Sequence, residues 1–230
     1  MIQLFGKLIS KDPNFYRTVA GIAIPIGLQG LITTGINMMD TIMIGTLGET
    51  ELSAVSLANQ FINIYQILCM GIGMGASVLV SRYYGMKDKV SMQKTVAIMT
   101  RFCLVIASVF ALLTCLFPGA IMRIYTVEDV IIQNGERYLS WSVVTYFLLG
   151  LSLTGTIVLR NVGQVKIPLF TSIGAFFVNI LANYMFIFGK LGAPAMGVAG
   201  AAIGTLIARI FEFSVIDGFL WFREKSIEFR

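Results

Sequence analysis

The chain of 230 residues contains no histidine, three cysteines and only 13% charged residues. Without histidine it lacks the commonest metal ligand and the usual proton shuttle of proteins. Cys69, Cys103 and Cys115 lie inside or at the ends of apolar runs with no CxxC spacing. They read as small buried hydrophobes rather than a metal or redox site. No Walker motif and no nucleophile triad is present, which favours ion coupling over ATP hydrolysis for any transport. Gly71-Ile-Gly-Met-Gly-Ala76 is no dinucleotide fingerprint either, because it lies within an apolar run with no strand before it.

The scarcity of charge has a counterpart. Hydrophobic residues make up 57% of the chain and the mean hydropathy is +0.82. Soluble domains carry roughly 25% charged and about 45–50% apolar residues. The chain is therefore expected to have the lipid bilayer as its solvent. The net charge of +5 does not imply a nucleic-acid partner, since the basic residues fall between apolar runs instead of forming one face.

A helix crosses the hydrocarbon layer with about 20 largely apolar residues. Six stretches qualify, at about 19–47, 52–80, 96–117, 138–159, 167–188 and 196–219. A membrane β-barrel would show short alternating segments, whereas these runs are continuous. Backbone groups in lipid must be satisfied internally, so the reading is an all-α membrane bundle of six transmembrane helices. Residues 1–17 form an expected cytoplasmic segment, 18–220 the bundle, and 221–230 a tail or the start of a linker. The first run is too long for a cleavable signal, so it is expected to stay in the membrane.

The intervening segments set an orientation. Glu49 and Glu51 mark a short acidic turn, and Arg82, Lys87, Lys89 and Lys94 a basic loop over 81–95. The mixed stretch from Arg123 to Arg137 is expected to form a short interfacial helix. On alternating sides, fourteen of the seventeen basic residues fall on one face, Arg209 included; only Arg123, Arg137 and Lys190 fall on the other. The rule that basic residues stay inside places both termini in the cytoplasm of a cell inner or plasma membrane.

Several polar residues do not suit lipid. Asp40 lies in an apolar run, roughly 22 Å along a helix from Pro25. An intramembrane carboxylate is costly unless it faces the bundle interior or a wet cavity, which makes it a candidate proton carrier. Alternatively, the first helix ends just before it and Asp40 is interfacial. Asn179 and Asn183, spaced i,i+4, share one face of the fifth helix, and Thr205 lies in the sixth. One carboxylate, two amides and a hydroxyl make an oxygen-rich candidate site for H⁺ or Na⁺; the bland reading is helix-joining hydrogen bonds. Pro25 is expected to kink the first helix, and Gly71 and Gly75 to permit close helix approach. Arg209 and Glu212, i,i+3, are expected to pair near the cytoplasmic surface. Tyr16, Tyr138, Trp141 and Trp221 read as interface anchors.

Pro25 with Leu28, Asp40-Thr-Ile-Met-Ile-Gly45 and Leu47-Gly48 resemble the opening of a MATE (multidrug and toxic compound extrusion) transporter. Gly71-Ile-Gly-Met-Gly-Ala-Ser77, Ser81-Arg82 and Leu159-Arg-Asn-Val-Gly-Gln-Val-Lys-Ile-Pro168 continue it. Asn179-Ile-Leu-Ala-Asn-Tyr184, Gly197-Val-Ala-Gly-Ala-Ala202 and Gly204-Thr205 complete it, covering nearly the whole chain.

The resemblance implies the amino-terminal one of two six-helix lobes, exporting small organic cations or amphipathic compounds by H⁺ or Na⁺ antiport, with no other cofactor. It places Asp40, Asn179 and Thr205 in the cation-coupling cluster. Asn183 stands where some relatives carry a second aspartate. It also implies a partner, either a second lobe on a longer chain or a second copy of this one. The competing reading is a non-catalytic or lipid-linked-substrate-flipping membrane subunit of the same fold.

Overall fold

The computed structural model describes residues 13–222. Lys7, Lys11, Arg223, Lys225 and Arg230 of the charge count, with most of the terminal segments 1–17 and 221–230, lie outside the described residues. Among the described residues seven helices follow one another: α1 (Pro13–Gly45), α2 (Glu49–Gly85), α3 (Lys89–Leu116), α4 (Pro118–Tyr125), α5 (Asp129–Asn161), α6 (Lys166–Phe188) and α7 (Val198–Phe222). All but α4 are long and apolar enough to span a membrane.

The helices run longer than the apolar stretches that announced them, because polar residues continue the hydrogen-bonded ladder. The acidic turn is shorter than its sequence suggests: Glu49 and Glu51 form the first turn of α2, where carboxylates complement the helix dipole. The basic loop shrinks to Met86–Asp88, with the Asp88 side chain accepting from the Ser91 amide at 3.1 Å to cap α3. The short interfacial helix is displaced. Pro118, pre-set for a first helical position, starts it at α4, while Asp129 to Arg137 form the opening turns of α5.

α5 is the central post, with 61% of its apolar window buried against 6% for α1. It packs on α2, α3, α4 and α7, while α1 lies at the margin, mainly along α6. Three apolar clusters form the core. One gathers Ile44, Ala54, Met122, Leu139 and Ile187; another Val80, Met99, Leu159 and Ile216; the third centres on Tyr65, Tyr146, Cys69 and Cys103. Cys69 and Cys103 are buried, as expected, whereas Cys115, expected to be buried with them, is exposed near the end of α3.

Missing side chains let the helices close up. A Cβ on Gly200 would run into the Phe186 carbonyl oxygen, so α6 and α7 touch backbone to backbone there. Gly150 leaves room for the Tyr65 hydroxyl, which donates to the Tyr146 carbonyl at 2.7 Å. Gly189 closes α6 at φ 66°, the left-handed conformation that favours glycine.

Candidate functional site

Five helices enclose a cavity of about 320 Å³. Its walls follow helical spacing. α5 turns Tyr138, Ser142, Thr145 and Leu149 toward it; α2 turns Asn59, Asn63 and Gln66; α7 turns Thr205, Arg209 and Glu212. α6 adds Ser172 and Asn179, and α1 adds Asn37, Asp40 and Thr41. Among mostly apolar helices, this wall of amides, hydroxyls and charges makes the cavity polar.

Asp40 lies within α1, before its end at Gly45, so the first helix does not stop short of it. The Asn183 Nδ2 donates to Asp40 Oδ1 at 2.5 Å and to Asn179 Oδ1 at 3.3 Å. Asn183 is fully buried behind the wall, and its Oδ1 finds no hydrogen-bond partner. Gly204 accommodates it, since a Cβ there would run into that oxygen. Thr205 adjoins the Tyr138 phenol, whose hydroxyl donates to Asn59 Oδ1 at 3.1 Å. The structure thus brings Asp40, Asn179 and Asn183 into one hydrogen-bonded group and sets Thr205 on the same cavity.

Two expectations need correction. Arg209 and Glu212 do pair, at 2.6 Å, but they do so on the cavity wall well inside α7, within electrostatic reach of Asp40. The i,i+3 spacing identified the pair and said nothing of which face it occupies. Arg209 therefore does not belong among the surface anchors. Tyr138 is likewise no interface anchor but a buried residue of the cavity. The signal was its spacing to Ser142 and Thr145, which share its helix face.

The remaining candidates stand apart from the cluster. Pro25 lies inside α1, which continues through it. Gly71 and Gly75 are exposed, with open space where a Cβ would point. The close approach in that helix falls between them, at Gly73 against Ile157.

A second polar group escaped the sequence reading. Arg160 Nη2 donates to Gln29 Oε1 at 2.6 Å, and Gln29 Nε2 donates to Ser172 Oγ at 3.0 Å. It joins α1, α5 and α6. Only the amphipathic break at Gln29, a lone amide within an apolar run, hinted at it.

The family described as MatE matches residues 25–185. A probable multidrug resistance protein NorM of Thermotoga maritima is 26% identical over 229 residues, covering 96% of this chain and 48% of that protein. The uncharacterized transporter YisQ of Bacillus subtilis is 26% identical over 188 residues, covering 81% and 41%. The fold is similar to a multidrug resistance MATE family transporter of the MOP superfamily in an outward-facing conformation. The TM-score is 0.82 at 21% identity, covering 91% of this chain and 46% of that one. The chain spans about half the length of the curated relatives it matches.

Proposed function

The chain belongs to the MatE family, and from that membership we propose that it is one six-helix half of a cation-coupled antiporter. Its substrates are small organic compounds, cationic or amphipathic, exported across a cytoplasmic membrane. The observation that carries this reading is the Asp40 carboxylate, held by Asn183 at the wall of a polar cavity inside a membrane bundle.

A carboxylate in that position exchanges charge with whatever enters. When Asp40 is ionised, the cavity holds Asp40 and the closed Arg209–Glu212 pair, leaving one negative charge to attract a cationic substrate. When Asp40 is neutralised by a coupling cation, that attraction is gone and the substrate is released. The two ligands compete for one charge, and each shifts the access equilibrium only through its different affinity for the two states. Asp40 also lies on α1, the least buried span. A change of partners at Asp40 is therefore felt by the helix with least packing to resist it.

The other half of the transporter is a second six-helix lobe, on a longer chain or as a second copy. In this reading both termini face the cytoplasm. Residues 18–220 form the bundle; Pro25, Gly71 and Gly75 serve helix bending and lobe movement rather than ion binding.

Dye efflux from proteoliposomes under imposed cation gradients tests the proposal. Gradient-driven efflux is expected with the wild-type chain and its loss with Asp40→Asn. Equal behaviour of the two under every gradient would sink it. Native mass spectrometry of the active sample tests the second lobe, with a strictly monomeric active species ruling out a paired chain.

A further inference from the structure

α6 carries one charged residue, Lys166 at its start, and α7 carries Arg209, Glu212 and Asp217. The three on α7 are turned into the bundle: Arg209 and Glu212 line the polar cavity, and Asp217 faces α5 at Gly155. Lys166 alone of the four stands exposed on the outside. No ion pair or hydrogen bond ties its side chain to another described residue.

Beside Lys166 the seam between α6 and α7 stands open. The two helices touch backbone to backbone at Phe186 and Gly200, and at Gly174 the Phe211 ring takes the space a side chain would occupy. Toward the start of α6 and the end of α7 the seam opens into a groove of about 460 Å³, within the roughly 300–1,000 Å³ of small-molecule sites. Ile167 and Phe170 form one side, Phe219 and Phe222 the other. Gly218 gives it depth, since a Cβ there meets nothing within 4 Å. The one hydroxyl on the wall, Thr171, already donates to the Ile167 carbonyl at 2.9 Å. The groove thus offers apolar contact along its length and no free side-chain donor, which suits an acyl chain and not a polar solute.

Lys166 and Phe170 are four apart and share a helix face, and helical side chains lean toward the N-terminal end. Lys166 therefore reaches past the start of α6, over the mouth of the groove, at the end where Trp221 and Phe222 lie exposed. Aromatic and basic residues together at helix ends mark the headgroup layer of a bilayer. A lysine stem there lies along apolar surface with its ammonium in water. We infer that the groove between α6 and α7 holds one anionic phospholipid, with an acyl chain between Phe170 and Phe219 and the phosphate on Lys166. The lipid comes from the leaflet at that end, the cytoplasmic one with both termini inside, where anionic headgroups meet basic side chains. A zwitterionic phospholipid brings an ammonium as well, and the described residues at the mouth offer no carboxylate to receive it. The site therefore favours net negative charge.

The test is native mass spectrometry of the full chain, released from micelles holding phosphatidylglycerol and phosphatidylcholine of identical acyl chains in equal amounts. The wild type is expected to retain one phosphatidylglycerol, favoured about fivefold over phosphatidylcholine, the ratio that one lysine near the headgroups supports. Lys166→Gln should keep a lipid but lose the preference, while Lys190→Gln, beyond the opposite end of α6, should leave it unchanged. Gly218→Leu, whose side chain fills the groove, should retain neither lipid. A wild type that holds no lipid, or both lipids equally, overturns the inference, as does a preference that survives in K166Q. Undiminished retention by a folded G218L places the lipid elsewhere and overturns it too. If circular dichroism shows that G218L does not fold, K166Q decides alone, because its change lies on the exposed surface. A dimer in place of bound lipid, separated by G218L, would make the groove a seat for a second copy and end the lipid reading.

Discussion

Arg160 reaches across 131 positions of sequence to donate to Gln29 at 2.6 Å, and so ties the end of α5 to the middle of α1. Gln29 is itself buried and passes its own Nε2 hydrogen to Ser172 on α6. α1 carries few other buried side chains, with Met43 and Ile44 near its far end. This relay is therefore the main polar anchor of its first half. It lies just after Pro25, where the missing N–H already weakens the helix ladder.

Gln29→Ala should loosen that anchor more than Ser172→Ala. Losing Gln29 strands the Arg160 guanidinium, whose Nε already lacks a partner; an unpaired buried donor costs about 1–3 kcal/mol. Losing the Ser172 hydroxyl strands one neutral amide hydrogen at about 1–3 kcal/mol, and a stranded charged guanidinium costs more than that. Thermal unfolding of both variants in detergent gives the order. Equal midpoints for the two would show that the relay does not hold α1.

The glycines offer a sharper test of packing because they separate cleanly by what surrounds them. Gly200→Ala pushes a methyl into the Phe186 carbonyl, which cannot yield without moving α6 from α7. Overpacking of this kind typically costs about 1–3 kcal/mol. Gly73→Ala meets only the end of the Ile157 side chain, which can turn aside, so its cost should be smaller. Gly71→Ala and Gly75→Ala meet nothing and should stabilise the helix by about 0.5–1 kcal/mol each. An alanine scan read by thermal unfolding checks all four, and a large loss at Gly71 would contradict the observed packing.

The sequence made the six spans legible because continuous apolar runs in lipid leave the backbone little choice but helix. It also made Asp40, Asn179 and Asn183 legible, since a polar side chain in such a run needs a partner. What it could not show was which way each helix faces. Arg209 and Tyr138 carry the same residue types as surface anchors, and only packing turned them inward. Nor could it tell an oxygen from a nitrogen. An asparagine can offer either end, and the choice at Asn183 is made by Asp40, 143 positions away. The Gln29–Arg160 pair was invisible for the same reason of distance.

The start of α3 should be sensitive to acid. The Asp88 carboxyl is held below its usual 3.8, chiefly by hydrogen bonds from Ser91. A group whose folded value is depressed lends stability that is present above the unfolded value and is lost as pH falls through the folded one. The first turn of α3 should therefore fray only below about pH 3.8. Hydrogen exchange at the amides after Asp88 follows this directly. Relative to the intrinsic rate at each pH, Asp88→Asn, which still caps, should keep its protection in acid, whereas Asp88→Ala should lack it at every pH. Loss of protection in acid in Asp88→Asn would place the cause elsewhere.

The Arg209–Glu212 pair allows structural worth to be separated from its role in the cavity. Both groups are partly buried, at 26% and 13% side-chain exposure, so breaking one end leaves a charge that water reaches poorly. Glu212→Gln alone should destabilise the fold by about 1–3 kcal/mol, after allowance for that exposure. The double change Arg209→Gln with Glu212→Gln should recover most of the loss, because no unpaired charge remains. A double-mutant cycle by thermal unfolding measures the coupling. The two effects then diverge in transport. The single variant leaves Arg209 unneutralised beside Asp40, so it should weaken efflux of cationic dyes more than the better-folded double variant does. Loss of efflux in proportion to stability in both variants would reduce the pair to a strut.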